Sequence, residues 1–291
     1  MEGSRMSEVA TGHEFTVVTW NVAGRIKPAM LDLLVGLEPD IAFLQEVKVD
    51  QWSAWKRALH GEGLMGLELR PREADEGGKR GLGAAVLLRP PLQLAAGSLV
   101  QHPGFAWPER AVTGLVTLAP GLPPTRLVAY HALHGGHGRI KPQSSAAMAS
   151  WLAEQRGPVL VGMDANSPEV DHPDESSIEA FWAQASTRTL ERSLVGPRAD
   201  RAHHLNDVWR TYLAAHPEIA DTIRAEKPHG PLAVTHWTGR HPRVPRRYDH
   251  IWASDDFEVL EVDHVQEGIS AGSDHAVVRA RLGVTSQPPR A

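Results

Sequence analysis

The sequence contains no cysteine. Disulfides, thiolate nucleophiles and Cys-ligated zinc or iron–sulfur centres are thereby excluded, so any chemistry has to run on oxygen and imidazole groups. No uninterrupted apolar stretch is long enough to cross a bilayer, and the opening MEGSRMSEVATGHEF is polar, without the apolar core of a signal peptide. Membrane insertion is therefore not expected, and a cytoplasmic location is. Positive charge is not in excess either. The net charge is −5 and the pI near 6.3, so the surface as a whole lacks the footprint of a strongly basic nucleic-acid-binding domain. There is no repeat of fixed period, no low-complexity tract and no linker-like stretch that would split the chain.

What is present is a chain of 291 residues with apolar runs punctuated by Gly and Pro, long enough for a large α/β core. FTVVTW (15–20) and IAFLQ (41–45) read as strands, with PAMLDLLVGL (28–37) between them as a helix that starts on Pro and sets Met30, Leu33, Leu34 and Leu37 on one face. A helix is expected over 50–60, and strands at LGAAVLL (82–88), AVTGLVTL (111–118) and TRLVAYHA (125–132). A further helix over 143–156 leads into the strand PVLVG, helical stretches fill 176–226, and LAVTHW, YDHIWAS and HAVVRARL read as strands, the last half-exposed. One domain over 15–282 is expected, with disordered ends over 1–14 and 283–291.

The polar residues that could carry chemistry cluster at strand ends. Asn21 closes the first strand and Glu46 the second; Tyr130 and His131 end another; Asp164 and Asn166 follow VLVG; Asp249 sits inside RRYDHIW; Asp274 and His275 open the last strand. Singly, each has an ordinary explanation, such as an Asx turn for Asp164 and Asn166 or a solvated strand exit for Glu46. Asp249 differs, because its aromatic and apolar neighbours place it inside, where a carboxylate needs a partner. Together the residues form an oxygen-rich set with two imidazoles. Carboxylates gathered at one point repel unless a hard divalent cation joins them, and such a cation would also neutralise and polarise a phosphoryl group.

Five segments, TWNVAG (19–24), PDIAFLQEVK (39–48), VLVGMDANSP (159–168), RRYDHIW (246–252) and GSDHAVV (272–278), resemble the endonuclease/exonuclease/phosphatase superfamily in kind and order. LQEVK, LNDVWR (205–210) and THWTGR (235–240) are similar to its exonuclease III and apurinic endonuclease branch. The resemblance implies a DNase-I-like α/β fold, a four-layer sandwich of two packed mixed β-sheets flanked by helices, with the site at one end. It also implies a Mg²⁺-dependent phosphodiesterase, with Mn²⁺ as the alternative ion, acting as a monomer on DNA or another phosphodiester. By the same resemblance Glu46 is the principal metal ligand, with Asn21 and Asp274 close by. Asp164 activates or orients the attacking water and, with Asn166, supports a second metal position. His275 contacts the scissile phosphate and is held by Asp249. His131 matches the family's strand-end histidine and Tyr130 the tyrosine of the exonuclease III branch; alternate facing on a strand admits only one of the two. Arg240, Arg243, Arg246 and Arg247, with Lys48, are expected to meet the backbone charge of a nucleic acid, and Trp237 an abasic-site pocket. Ala23, Met163 and the loop HGGHGRIKP (134–142) depart from the branch and leave a small phosphoester as the alternative substrate. A non-catalytic binding module on the same fold ranks behind both, since the principal residues are all present.

Overall fold

The structure is a computed structural model and describes residues 13–61, 63, 65–66, 81–96, 98, 100–101 and 108–284. In chain order the elements are β1 (Glu14–Asn21), α1 (Pro28–Gly36), β2 (Ile41–Lys48), α2 (Val49–Gly61), β3 (Met65–Gly66), β4 (Leu82–Leu88), β5 (Val100–Gln101), β6 (Ala111–Val116), β7 (Thr125–His131), α3 (Ile140–Glu154), β8 (Val159–Asp164), α4 (Ala185–Val195), β9 (Asn206–Asp207), α5 (Val208–Ala215), α6 (Pro217–Glu226), β10 (His236–Thr238), β11 (Val244–Arg246), β12 (Asp249–Ala253), β13 (Phe257–Val265), α7 (Glu267–Ala271) and β14 (Val277–Val284).

Two six-stranded sheets pack face to face, one in the order β13-β14-β1-β2-β4-β3 and the other β5-β6-β7-β8-β12-β9; β10 and β11 form a separate hairpin. Both large sheets are mixed. β1 with β2 and β7 with β8 run parallel, which requires a crossover, and α1 and α3 supply it. The VLVGMD of β8 is buried at every position, the continuous apolar run of a strand covered on both faces. One cluster of side chains runs between the sheets and through the first of them to its helices, taking in Met30 and Leu34 of α1 and Trp52, Trp55 and Leu59 of α2. A second lies on the outer face of the β5–β9 sheet, where Met148 and Leu152 of α3 and Leu194 of α4 meet Tyr130, Met163 and Trp252. The sheets come closest near the end of β8: a Cβ built on Gly162 would sit 2.3 Å from Cδ2 of Phe43. Only glycine fits there, and Asp164 follows two residues later on the same face.

The architecture is the expected DNase-I-like sandwich, and the details depart from the sequence reading in several places. The last strand runs to Val284 because Gly283 and Val284 pair with Glu258 and Phe257, and the first begins at Glu14, opposite Gly283. The rest of the two ends expected to be disordered, 1–12 and 285–291, lies outside the described residues. Val277 and Val278 are both buried, and the expected half-exposed alternation starts only at Val278, with Val278, Ala280 and Leu282 buried while Arg279 is half-buried and Arg281 exposed. The second crossover helix, α3, starts at Ile140, ahead of the expected 143, and the expected helical region 176–226 resolves into α4, α5 and α6 with loops between. Of LAVTHW only His236 onward is strand. β13 went unread because a register shift between Val259 and Glu261 interrupts its period-two pattern.

Candidate active site

Sheet register assembles the centre. β7 and β8 pair His131 with Asp164, and β8 and β12 pair Asp164 with Asp249. Partners in register point to the same side, so the three side chains form one row facing the other sheet. Tyr130 and Met163, one residue earlier, face the opposite way into the outer cluster, where the Tyr130 hydroxyl meets Ser144 Oγ at 3.2 Å. His131 therefore lines the site, and Tyr130 as a catalytic residue is corrected. The first sheet brings Asn21 at the end of β1, Glu46 in β2 and His275 just before β14. Glu46 lies where the β2–β4 register shifts between Leu44 and Val47, and its backbone is left-handed at φ 55°. A non-glycine residue held there is strained, and strain of this kind concentrates where a side chain must be aimed.

Asp164 is the hub. Its Oδ2 accepts from Asn21 Nδ2 at 2.8 Å and its Oδ1 from the Asn166 backbone N–H at 2.9 Å. His131 Nε2 lies 3.6 Å from Asp164 Oδ2 and 3.5 Å from Glu46 Oε1. Arg110 Nη1, which can only donate, lies 3.2 Å from His131 Nδ1 and 3.4 Å from Nε2, and it is the two carboxylates beside Nε2 that favour the tautomer with its proton there. Burial, reinforced by the charges of Arg110 and His275, holds the His131 pKa well below 6.5, so this imidazole is neutral. His275 is its opposite. Burial disfavours its charge, but Asp249, 2.8 Å from Nδ1, and Asp164 outweigh that and raise its pKa to about 10. His275 is thus an imidazolium with Nε2 3.9 Å from Asp164 Oδ2 and directed into the site. Burial, and then the nearby Asp249, raise the Asp164 carboxyl to about 7 against the opposing pull of His275 and the hydrogen bonds from Asn21 and Asn166.

This donor set fits a hard divalent cation. Burial and a second carboxylate both penalise the negative charge of Asp164, which a cation would offset, and Glu46 supplies a further oxygen on the solvent side. Among the described residues, two groups of three have all their ligand atoms within 4.8 Å of one another: Asp164, Asp249 and His275, and His236, Asp274 and His275. Asp274 is exposed at the rim. Asn21, expected beside the metal, gives its amide nitrogen to Asp164 and accepts the Ala23 N–H on Oδ1 at 2.8 Å, which leaves one lone pair of that oxygen for a cation. Asn166 likewise gives its amide to the Ala132 carbonyl at 3.0 Å and holds the Asp164 loop.

The expected basic lip divides in two. Arg247 is 1 % exposed and its guanidinium is taken up by Asp207 and Asp171, so it faces no substrate. Arg246 donates to the Glu169 carbonyl and lies over the Phe181 ring at 5.5 Å. Arg240 and Arg243 are exposed at the tip of the β10–β11 hairpin. Trp237 is 41 % exposed but pairs with Pro245, on the hairpin face opposite His236. Lys48, with Arg25 and Glu46, lines a cavity of about 430 Å³ beside the site. Arg110 was missed in the sequence; a lone Arg ahead of a strand carries no distinguishing local pattern. So was Lys141, which is buried against Glu191 and donates from Nζ to the Asn166 carbonyl at 2.6 Å.

The model of the Endonuclease/Exonuclease/phosphatase family matches residues 18–275. The chain belongs to that family and is an enzyme of its class, a metal-dependent phosphoester hydrolase. Comparison with curated proteins returns no match. Among solved structures, ANGEL2, described as a 2',3'-cyclic phosphatase and bound to adenosine-2',3'-vanadate, superposes with a TM-score of 0.64 at 16% identity, over 94% of this chain and 97% of that one. An endonuclease/exonuclease/phosphatase from Beutenbergia cavernae DSM 12333 gives 0.62 at 20% identity, over 96% and 73%. D. rerio TDP2 complexed with a single-strand DNA product gives 0.60 at 13% identity, over 92% and 98%. At such identities the likeness is one of fold. No helix among the described residues is long and apolar enough to cross a membrane.

Proposed function

We propose that this enzyme is a Mg²⁺-dependent phosphodiesterase that cleaves DNA, working as a cytoplasmic monomer from one domain over 15–282. The observation that carries the reading is the row His131, Asp164 and Asp249 across one sheet, facing Glu46 and His275 from the other. Glu46 and Asp274, with Asp164 behind, would hold the cation, which supplies charge neutralisation and polarisation of a phosphoryl oxygen. The protein's own groups divide the remaining work. Asp164 Oδ2, steadied by Asn21, orients the attacking water and takes its proton. His275 Nε2–H donates to a non-bridging phosphoryl oxygen as negative charge builds there, and Asp249 keeps the ring charged and aimed. His131 Nε2–H adds a neutral donor backed by the Arg110 guanidinium. Lys48 and Arg25 line the cavity beside the centre, and the exposed Arg240 and Arg243 at the tip of the β10–β11 hairpin would add positive charge for a nucleic-acid backbone.

A second reading has one observation in its favour. With Arg246 and Arg247 engaged inside the protein, the basic lip is half as large as its sequence suggests, which suits a small phosphoester or a nucleic-acid end. A 2',3'-cyclic phosphate, on which the structurally similar ANGEL2 acts, is the form to try first. The assignment to the exonuclease III and apurinic endonuclease branch rests on LQEVK, LNDVWR and THWTGR. The test is cleavage of a labelled duplex with one abasic site beside its intact twin and beside a strand ending in a 2',3'-cyclic phosphate. Each is run in Mg²⁺, in Mn²⁺ and in EDTA, with Glu46→Gln and Asp164→Asn as controls. Cutting of either duplex that both variants and EDTA abolish supports the DNA reading, and turnover of the cyclic phosphate alone replaces it with the second. Activity that survives EDTA and both substitutions would remove the proposed centre altogether.

A further inference from the structure

The Asp249–His275 pair spans two sheets. Asp249 opens β12 in one, and His275 lies two residues ahead of β14 in the other, so neither sheet's own ladder sets the 2.8 Å between them. A short segment that belongs to neither sheet joins the two ends. Thr235 is fully buried, and its Oγ1 accepts from the backbone N–H of Tyr248 at 2.9 Å and of Asp249 at 3.1 Å. Its own N–H donates to the Arg246 carbonyl at 2.8 Å, and its carbonyl accepts from Ala276 N–H at 2.7 Å. One residue is thus fastened to the strand that carries Asp249 and to the residue that follows His275.

The next residue holds the ring itself. His236 makes a single β-bridge with His275, and its imidazole stacks on that of His275 with centroids 4.2 Å apart and planes 27° apart. Tyr248 also stacks with it, at 5.7 Å and 22°. His236 Nδ1 lies 2.9 Å from the Asp274 carbonyl, which only accepts, so Nδ1 carries the proton and the ring plane is fixed by that bond. The proximity of His236, Asp274 and His275 invites a second metal, but the stacking opposes it. Near-parallel rings direct their in-plane lone pairs side by side, whereas a shared ion needs them to converge.

We propose that Thr235 and His236 are positioning residues for the Asp249–His275 pair: Thr235 sets its span across the two sheets and His236 sets the plane of the His275 ring. The inference rests on the reading of His275 as the group that contacts phosphate. Three features support it. The two N–H groups on Thr235 Oγ1 are buried and would be left without an acceptor if it were removed. Thr235 and His236 touch no other part of the row formed by His131 and Asp164 in the contacts described. Thr235 acts on the backbone and His236 on the face of the ring, which leaves His275 Nε2 directed toward Asp164.

The test uses the full chain with Thr235→Val, Thr235→Ser, His236→Ala and His236→Phe. Two readouts are taken: kcat and KM for bis(p-nitrophenyl) phosphate in Mg²⁺, and the downfield proton on His275 Nδ1 in ¹⁵N-labelled protein, assigned by its loss in Asp249→Asn. Thr235→Val is expected to lower kcat about 10–100-fold with KM unchanged and to broaden or shift the Nδ1 proton, as loss of an orienting partner does. Thr235→Ser should restore both. His236→Ala should lower kcat and His236→Phe, which keeps a ring on His275, should recover most of it. If a folded Thr235→Val keeps wild-type kcat and Nδ1 signal, or if Thr235→Ser behaves no better than Val, the inference about Thr235 falls. His236→Ala with both readouts unchanged removes the inference about the ring, and that variant decides should Thr235→Val fail to fold. A wild-type protein inactive on every phosphoester would overturn the functional reading and not this one, because the Nδ1 proton reports the pair without any substrate.

Discussion

Arg247→Met is predicted to destabilise the protein severely while leaving its surface charge almost unchanged where a nucleic acid would bind. The Arg247 guanidinium donates from Nη1 to Asp171 Oδ2 at 2.8 Å and to Asp207 Oδ2 at 2.8 Å, and from Nη2 to Asp207 Oδ1 at 2.7 Å. Burial alone would push the Asp207 carboxyl up; Arg247 overcomes this and holds it well below the usual carboxylate range. Methionine fills similar space and removes the charge. Asp171 keeps Arg210, but Asp207, 4 % exposed, is left with only the N–H groups of Trp209 and Arg210 at the start of α5 and with His250. Breaking one side of a buried ion pair costs about 3–5 kcal/mol, which for a chain of this size lowers Tm by on the order of 10 °C. Thermal unfolding followed by circular dichroism reads the loss, and adding Asp207→Asn to Arg247→Met should recover part of it. Arg240→Ala and Arg243→Ala, both exposed, should leave Tm in place and each reduce the salt slope of DNA binding by about 1. An Arg247→Met protein with wild-type Tm and weakened DNA binding would refute the reasoning, since the guanidinium would then be available to ligand.

Three further outcomes are expected. Gly162→Ala places a methyl 2.3–2.5 Å from three atoms of Phe43, so it should cost about 1–3 kcal/mol in urea unfolding and lower kcat through Asp164 on the same strand; Phe43→Leu should relieve it in part. If the alanine variant melts and turns over like the parent, the sheets are not in contact there. Asp249→Asn should lower kcat about 10–100-fold and also lower Tm, because the amide cannot hold the buried His275 charged and the stability of the pair is lost with it; undiminished turnover would separate Asp249 from the reaction. His203, packed edge-on to Trp252 and donating to the Leu194 carbonyl, is lowered by burial from 6.5 to about 4. Its folded pKa lies below its unfolded one, so its contribution is complete above pH 6.5 and is lost as pH falls toward about 4, by roughly 3 kcal/mol in all. Denaturant unfolding at pH 7 and at pH 4.5 should show a smaller drop for His203→Phe than for the parent, and equal drops would contradict the assignment.

Most strands were readable because β-structure here is written locally: apolar runs such as VLVG and LGAAVLL end at Gly, Pro or polar residues, and the chemistry-bearing side chains sit at those ends. The five motifs were likewise visible, and with them the family, the sandwich and nearly every residue of the row around Asp164. β13 was hidden by its own irregularity, since the shift at Val259 and Glu261 exchanges the faces midway along the strand. Which of Tyr130 and His131 faces the site could not be read from β7 alone, because both faces of that strand are covered and only the position of the opposite sheet distinguishes them. Arg240 and Arg247 look equivalent in GRHPRVPRRYDH, yet one is solvated and the other is enclosed by Asp207 and Asp171, 40 and 76 residues distant. Arg110 reaches His131, and Thr235 ties Asp249 to the start of β14, only once the sheets have packed. The sequence by itself determined which groups stand at the strand ends and hence what chemistry is possible. Tertiary structure decided which of them meet and in what state of charge, because burial and the approach of distant carboxylates and guanidinium groups are properties of the packed sheets and not of any one segment.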